Sequence, residues 1–150
     1  MVATYRYDLG DWGKLRANAG FNYGRTKIRN IIPNPPELTA LGSSFVLFGR
    51  GSQGFLTTSF PKSKVALGLN WDWEKLNVNL RSTRYGKYTV IADLPINDRS
   101  FGAKWITDLE VSYKVLESVK VTVGANNLFN YYPDRLNYNY RFEFLSLIHI

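Results

Sequence analysis

The sequence predicts an all-β protein built from antiparallel strands in up-and-down order. Three observations support this fold class: segments in which apolar and polar residues alternate, links between them that are by turns short and long, and aromatic residues near the segment ends. Successive side chains of a strand point to opposite faces of a sheet, so a period of two is typical of a sheet with two unlike faces. No window follows a helical period as well.

Six segments carry this alternation. In the segment "KVALGLNWDW", valine, leucine and tryptophan occupy the odd positions, and lysine, alanine, glycine, asparagine and aspartate the even ones. Ile106 is the one clear break in the pattern of its segment. The six segments are residues 3–9 (ATYRYDL), 14–28 (KLRANAGFNYGRTKI), 64–73 (KVALGLNWDW), 75–80 (KLNVNL), 104–114 (KWITDLEVSYK) and 119–126 (VKVTVGAN). A seventh, 135–144 (RLNYNYRFEF), is either a curtailed last strand or a loop.

The links alternate strictly in length. Only "GDWG", "EK" and "VLES" separate the members of three pairs of segments, whereas residues 29–61 and 86–103 form long links. In an up-and-down sheet, alternate links fall at opposite ends, so one end has tight turns and the other large loops. This asymmetry is typical of outer-membrane β-barrels. A long structureless loop would count against a compact soluble domain.

Aromatic residues lie at or near the strand ends, and Leu, Val and Ala hold the middles. Tryptophan and tyrosine favour the membrane–water boundary, where the ring is in the apolar zone and its polar atom reaches water. The alternative is that these rings cap a soluble core. The opposite face is rich in Asn, Lys, Arg, Asp and Gly, as a water-filled lumen tolerates. The aromatic residues in question are Trp12, Trp71, Trp73, Trp105 and Tyr113.

Composition excludes several classes of function. The 150 residues include no cysteine, which excludes disulfides. They include one histidine, so the composition does not support a metal site rich in histidine or a catalytic triad built on histidine. The net charge of +7 is interpreted as a solvated basic surface, with a basic face for anionic ligands, lipopolysaccharide or nucleic acid as the alternative. There is no run of about 18 apolar residues that would form a transmembrane helix.

Residues 121–133, "VTVGANNLFNYYP", resemble the next-to-last strand and following loop of TonB-dependent outer-membrane receptors, which carry a similar Asn-Leu-Phe tract. The stretch "FPKSKVALGLNWDWEKLNVNLRSTRYGKY" resembles the family's strand that begins with proline, its tight turn and its return strand ending near a Tyr-Gly. The stretch "FGAKWITDLEVSYKVLESVKVTVGANNLFN" resembles the hairpin that follows. The resemblance implies a plugged, 22-stranded barrel of which this chain supplies about six or seven strands. It also implies import of a ferric siderophore, haem, cobalamin or oligosaccharide. Coupling to the TonB complex would use an N-terminal segment that is not in this chain.

The ends of the chain are interpreted as those of a fragment. Residues 1–144 are predicted to be the C-terminal portion of the receptor barrel. Leu145–Ile150, "LSLIHI", continue none of the pattern, and the codons CTG TCT CTT ATA CAC ATC for these residues resemble a transposase mosaic end. We therefore expect these residues, His149 included, to be adapter read-through. The alternative is a short apolar tail.

No constellation points to catalysis, a cofactor or a metal, and the protein is predicted not to be an enzyme. Asp108 and Glu110 are interpreted as lumenal surface. Gly49–Gly54, "GRGSQG", is expected to be a flexible loop that precedes no helix. Weak ligand-binding candidates combine charge for anions with rings for stacking. They are Arg84, Tyr85, Lys87 and Tyr88 in "RSTRYGKY", and Phe48 and Arg50 in "FVLFGR".

The Asn-Leu-Phe tract is expected to be structural. Asn126 and Asn127 can satisfy backbone groups where the strand leaves the sheet, and Leu128 and Phe129 can anchor the loop at the rim. The predicted location is the outer membrane of a Gram-negative bacterium, with membrane lipid, lipopolysaccharide and the TonB complex as partners and no nucleic acid. A soluble β-barrel or sandwich binding small ligands or sugars, or a passive porin, remains the alternative.

Overall fold

A computed structural model describes residues 1–40 and 46–132 of the chain. Within them lie eight β-strands, two short α-helices (α1, Pro36–Ala40, and α2, Arg50–Thr57) and two single 3-10 turns at Gly10–Trp12 and Pro95–Asn97. The predicted seventh segment, 135–144, and the predicted adapter residues lie outside the described residues. The strands are β1 (Val2–Asp8), β2 (Lys14–Tyr23), β3 (Ser63–Trp73), β4 (Leu76–Tyr85), β5 (Tyr88–Val90), β6 (Arg99–Phe101), β7 (Lys104–Leu116) and β8 (Val119–Ala125).

Six strands form one antiparallel sheet in the order β1-β2-β3-β4-β7-β8, and β5 and β6 form a separate two-stranded hairpin. All six segments predicted from the alternation are strands of the large sheet, so the prediction of an all-β, antiparallel, up-and-down fold is confirmed. The sheet is open, with β1 and β8 at its two edges within the described residues.

The strand register places most of the apolar residues of the large sheet on one face. Directly opposed residues of an antiparallel pair lie on the same face. One row across the sheet, from β2 to β7, runs through Ala17, Leu69, Leu80 and Leu109. The alternate rows form the other face, for example Asn70, Asn79 and Glu110. We call these the apolar face and the polar face. Ile106, the break in the sequence pattern, lies opposite Thr83 on the polar face.

The links divide between the two ends of the sheet as predicted. Residues 9–13, 74–75 and 117–118 connect strands at one end, which we call the turn rim. Residues 24–62 and 86–103 connect strands at the other end, the loop rim. The first long link is longer than the sequence indicated, because β2 ends at Tyr23 and does not continue to Ile28.

The expectation that Gly49–Gly54 is a flexible loop that precedes no helix is wrong. Residues from Arg50 onward form α2, which ends at Thr57. The two glycines inside the helix weaken its intrinsic propensity. Gly54 is nevertheless buried, and a Cβ there would lie 2.4 Å from the Cβ of Ile91. The helix therefore forms where glycine permits close packing against the second long link.

The sheet has no packed layer over its apolar face within the described residues. Phe101, 6% exposed, is the one buried hydrophobic side chain found there, and it belongs to the β5–β6 hairpin rather than to the large sheet. Leu67, Leu69 and Val123 on the apolar face are 43%, 40% and 71% exposed. A soluble sandwich would bury such residues between two layers.

Candidate functional site

The apolar face leaves many hydrophobic side chains exposed, and contact with water alone would not favour such a surface. It extends across all six strands, with alanine, valine and leucine in the middle rows. Exposed apolar patches of this kind mark a contact with protein, membrane or ligand. The face is therefore the first candidate for a functional surface.

Three tryptophans gather at the turn rim of this face. Trp71 and Trp73 stack with ring centroids 5.8 Å apart and planes 6° from parallel, and Trp12 stacks on Trp73 at 6.0 Å. The indole Nε1–H of Trp71 donates to the backbone oxygen of Trp12 at 2.8 Å, and that of Trp73 donates to the backbone oxygen of Asp11 at 3.0 Å. The indole N–H groups thus point toward the turn, which is the orientation that an apolar–aqueous boundary favours.

A second set of aromatic residues lies toward the loop rim. Phe21 and Tyr23 end β2, and Trp105 lies near the start of β7 on the same face. On β7, Trp105 is eight positions from Tyr113, which lies at the turn rim. Eight positions span about 27 Å along a strand. If the strand were tilted by about 40° from a barrel axis, it would cover about 20 Å along that axis. This separation is close to the height of an outer-membrane apolar band.

The polar face carries charges and hydroxyls in register. Lys14 lies opposite Asp72, and Arg81 lies opposite Asp108, so that unlike charges face each other across neighbouring strands. In the same row as Lys14 and Asp72, the hydroxyls of Ser112 and Thr122 are 2.9 Å apart. Ser112 is only 1% exposed. The two carboxylates of "DLE", Asp108 and Glu110, both face this side, and their lumenal location stays a prediction.

The structure separates two of the predicted ligand residues. Arg84 lies opposite Val65 and Trp105 on the apolar face, whereas Tyr85 lies opposite Lys64 and Lys104 on the polar face. The ammonium of Lys64 lies 5.0 Å from the ring centroid of Tyr85, within cation–π range. One ligand therefore does not contact both side chains from one side of the sheet.

Lys87 and Tyr88 follow in the loop rim. Lys87 is exposed between β4 and β5. Tyr88 is half-buried and stacks on Phe101, with ring centroids 4.7 Å apart and planes 13° from parallel. The ring of Tyr88 thus supports the β5–β6 hairpin, and its contact with a ligand stays a prediction.

Phe48 and Arg50 lie at the start of α2, and Arg50 holds the two long links together. Its Nη1 and Nη2 donate to Asp98 Oδ1 and Oδ2 at 2.6 and 2.5 Å, a bidentate pair, and Nη1 also donates to the backbone oxygen of Ala92. The backbone oxygen of Phe48 accepts a hydrogen bond from Gln53 Nε2 at 3.0 Å. Ligand contact by Phe48 or Arg50 stays a prediction, but the guanidinium already has a structural partner.

Electrostatics in this cluster follow from the bidentate pair. Hydrogen bonds from the Arg50 guanidinium, aided by the backbone N–H of Ala92, lower the pKa of Asp98 to about 2, while partial desolvation opposes the shift. The same hydrogen bond raises the pKa of Arg50 above its usual value. Both groups are partly exposed, at 38% for Arg50 and 30% for Asp98, so solvent screens the attraction.

Further contacts fix α2 on the second long link. The backbone N–H of Thr89 donates to the carbonyl of Thr58 at 3.0 Å, and the N–H of Gly51 donates to Asp93 Oδ1 at 3.0 Å. Together with the Gly54–Ile91 packing, these bonds join residues 50–58 to residues 89–98. We call this assembly the loop-rim cluster. Asp98 and Asp93 were missed by sequence reasoning, because they lie more than forty positions from their partners and no local pattern marks such a pairing.

Asn127 carries the backbone-satisfying role that the sequence predicted for the amides. Its Nδ2 donates to the backbone oxygen of Tyr131 at 2.9 Å, and its Oδ1 accepts from the Tyr131 N–H at 3.0 Å. Its own N–H donates to Asp108 Oδ1 at 2.9 Å. Asn127 has φ of 50°, a left-handed conformation that asparagine tolerates better than most residues.

Residues beyond Asn127 continue along β7 in the direction of β8, toward the loop rim. The N–H of Leu128 donates to the carbonyl of Thr107 at 2.7 Å. Leu128 is 43% exposed and Phe129 is 61% exposed, so both present apolar surface at the loop rim. Asn126 immediately follows the last residue of β8. Direct ligand contact by these residues was not expected. Phe129 nevertheless lines a cavity with Trp105, which lies opposite the candidate Arg84.

Two shallow cavities lie at the loop rim. One, of about 390 Å³, is lined by residues of the apolar face, by residues at the start of β7 and by the segment that follows β8. The other, of about 210 Å³, lies between the start of the first long link and the end of α2. The first is lined by Ser82, Ala103, Lys104, Trp105, Thr107, Phe129 and Tyr131, and the second by Gly24, Arg25, Thr26, Leu56, Thr57, Phe60, Pro61 and Lys62.

In the part of the chain that the structure describes, no three or more His, Asp or Glu side chains are grouped as metal ligands. None of the helices described is long and apolar enough to cross a membrane. Comparisons with protein-family models, with curated proteins and with solved structures found no match to this chain.

Proposed function

We propose that this chain is part of the β-barrel of a TonB-dependent outer-membrane receptor, and that lipid hydrocarbon contacts its apolar face. The observation that carries the proposal is the exposed apolar face itself, with aromatic residues at both rims and a polar face behind it. This is the reverse of a soluble sandwich and the arrangement typical of outer-membrane strands.

The open edges of the sheet fit the same proposal. A transmembrane sheet must satisfy its edge N–H and C=O groups, because hydrocarbon offers no hydrogen-bond partner. The strands β1 and β8 have a neighbour on one side only in the described residues. Further strands, in line with the resemblance to receptor barrels, would pair with these edges and close the barrel around the polar face.

The receptor function rests on the resemblance and on the loop rim. In a receptor, the loop rim faces outside, and the loop-rim cluster provides a part of the ordered surface over which a ligand enters. The ligand class is a ferric siderophore, haem, cobalamin or oligosaccharide, and the plug and TonB-coupling segment belong to other parts of the protein. Import of such ligands is driven from the inner membrane, which distinguishes a receptor from a passive porin.

Fractionation and uptake test the two halves of the proposal. The full-length protein is expected in the detergent-extracted outer membrane, with gel migration that changes on heating. Cells with the gene are expected to accumulate at least one of radiolabelled ferric siderophores, haemin, cyanocobalamin or maltodextrin faster than cells without it, and a protonophore is expected to abolish the difference. Recovery from the soluble periplasm would overturn the membrane assignment, and uptake that a protonophore leaves unchanged would indicate a porin.

A further inference from the structure

Arg84 is a cation on a face that is otherwise apolar or uncharged. The register places it directly opposite Val65 on one side and Trp105 on the other, so all three side chains lie on the apolar face. Arg84 is half-buried, and Trp105 is 40% exposed. Within the described residues the only salt bridge is that between Arg50 and Asp98, so Arg84 has no carboxylate partner there.

The height of Arg84 on the sheet matches a membrane boundary. It lies eight positions from Leu76 along β4, and Leu76 is at the turn rim. With the strand tilt used above for β7, Arg84 would lie about 20 Å from the turn rim along the barrel axis. A charged side chain is tolerated on a lipid-facing surface at this level and not at the middle of the bilayer.

The surface beside Arg84 offers both polar and apolar contacts. One row toward the turn rim, the hydroxyls of Ser82 and Thr107 are 2.9 Å apart and hydrogen-bonded to each other. These two residues line the cavity of about 390 Å³ together with Trp105, Phe129 and the cation Lys104. Arg84 is not one of the lining residues but lies next to the cavity, directly opposite Trp105. Below them, Leu80 and Leu109 continue the apolar face toward the turn rim.

We infer that Arg84 binds a phosphate of lipid A, the membrane anchor of lipopolysaccharide, and that the cavity beside it receives the adjoining part of that lipid. The inference rests on the proposed function, since lipopolysaccharide occupies the leaflet that the loop rim would face. Arginine recognises phosphate through paired N–H donors, and a phosphate supplies the counter-charge that the apolar face lacks. The leucines below the cavity fit the acyl chains, which are apolar.

The test compares two arginines of the same strand that face opposite ways. Arg84→Gln removes the charge from the apolar face. Arg81 lies three positions before Arg84 in β4, and Arg81→Gln removes a charge from the polar face. Binding of bisphosphorylated lipid A, of dephosphorylated lipid A with the same acyl chains, and of phosphatidylglycerol is measured by native mass spectrometry of the full-length protein in non-ionic detergent. Arg84→Lys is the second variant, because it keeps the charge if Arg84→Gln lowers the folding yield.

The expected result is at least about a tenfold weaker retention of bisphosphorylated lipid A by Arg84→Gln, since a hydrogen bond to a charged group is lost. Arg81→Gln is expected to bind bisphosphorylated lipid A as strongly as the wild type does. Arg84→Lys is expected to bind it with a strength between those of the wild type and Arg84→Gln. Dephosphorylated lipid A is expected to bind the wild type and Arg84→Gln equally. Equal losses in Arg84→Gln and Arg81→Gln, equal binding of phosphatidylglycerol and lipid A, or unchanged binding by Arg84→Gln would each overturn the inference.

The proposed function is separated from this inference by the fluorescence of Trp105. The measurement uses a variant in which Trp12, Trp71 and Trp73 are phenylalanine, so that Trp105 is the remaining tryptophan. If brominated phospholipids quench Trp105 in this variant while Arg84→Gln leaves lipid A binding unchanged, the apolar face contacts lipid and only the phosphate site is wrong. If brominated phospholipids leave Trp105 unquenched, the membrane assignment itself is wrong.

Discussion

Leu80 and Asn79 are adjacent in β4 and face opposite sides of the sheet: Leu80 lies between Leu69 and Leu109, and Asn79 lies between Asn70 and Glu110. The two side chains thus lie at almost the same height with opposite surroundings. If lipid contacts the apolar face, the same charged substitution at these two positions has very different consequences.

We expect Leu80→Arg to lower the free energy of unfolding of the membrane-inserted protein by about 2–4 kcal/mol, because it places a cation near the middle of the bilayer. Asn79→Arg is expected to change it by less than about 1 kcal/mol, since its side chain faces the polar interior. Guanidinium chloride unfolding in phospholipid vesicles measures both. Equal effects of the two variants would be incompatible with a lipid-facing apolar side.

We expect the pair of Asp98 and Arg50 to make the loop-rim cluster resistant to mild acid. The pKa of Asp98 is lowered to about 2, below its ordinary value of about 3.9. A carboxylate with a lowered pKa stabilises the folded state above its ordinary pKa, and this contribution is lost as the pH falls toward about 2. Hydrogen exchange of the Ala92 amide, which donates to Asp98 Oδ1 at 3.1 Å, is expected to stay slow from neutral pH down to about pH 4 after correction for the intrinsic rate.

Asp98→Asn removes the charge and is expected to speed exchange at Ala92 and at the Gly51 amide, while the amides of β3 and β4 stay protected. The Gly51 amide reports the cluster because it is held by Asp93 rather than by Asp98 itself. Faster exchange across the whole sheet would show that the pair supports the fold globally, contrary to its position outside the sheet.

Gly54→Ala is expected to separate α2 from the second long link. The added Cβ would lie 2.4 Å from the Ile91 Cβ, closer than two carbons can approach, so the helix or the link must move. Gly102→Ala, in the second long link, is the control, because nothing lies within 4 Å of its Cβ position. Limited proteolysis is expected to cleave within the two long links faster in Gly54→Ala than in the wild type, and at the wild-type rate in Gly102→Ala. The opposite order would contradict the packing.

Asn127→Ala is expected to loosen the turn that follows β8. The substitution removes both side-chain hydrogen bonds to Tyr131 and leaves a residue less tolerant of the left-handed backbone, a loss of about 1–3 kcal/mol in local opening free energy. Exchange of the Tyr131 amide measures it. Asn127→Gly keeps the backbone conformation accessible and isolates the loss of the amide. If Asn126→Ala has as large an effect as Asn127→Ala, the assignment of this role to Asn127 is wrong.

The sequence was sufficient to predict the large sheet because its strands each have two unlike faces. Period-two alternation identifies such strands, and hairpins with two-residue links such as 74–75 leave little freedom in pairing. The split of links between the two rims followed from the up-and-down order alone. Arg84 and Tyr85 were grouped as one ligand-binding set, yet the same alternation places neighbours on opposite faces.

The loop-rim cluster could not be predicted from sequence in the same way. The helix α2 has eight residues and two glycines inside it, too short and too weak in propensity to show a helical period. Its position is determined by Arg50, Asp98 and the close approach of Gly54 to Ile91, contacts between segments about forty residues apart. Such pairings leave no trace in local composition.

The central claim is that hydrocarbon contacts the apolar face. Its most direct test places one tryptophan on each face at neighbouring positions of β3, with Leu69→Trp on the apolar face and Asn70→Trp on the polar face, in a background where the four native tryptophans are phenylalanine. The protein is inserted in vesicles whose lipids carry bromine near the ends of the acyl chains. We predict strong quenching for Leu69→Trp and little for Asn70→Trp, with aqueous iodide giving the reverse. Quenching of Leu69→Trp by iodide and not by bromine would contradict the account.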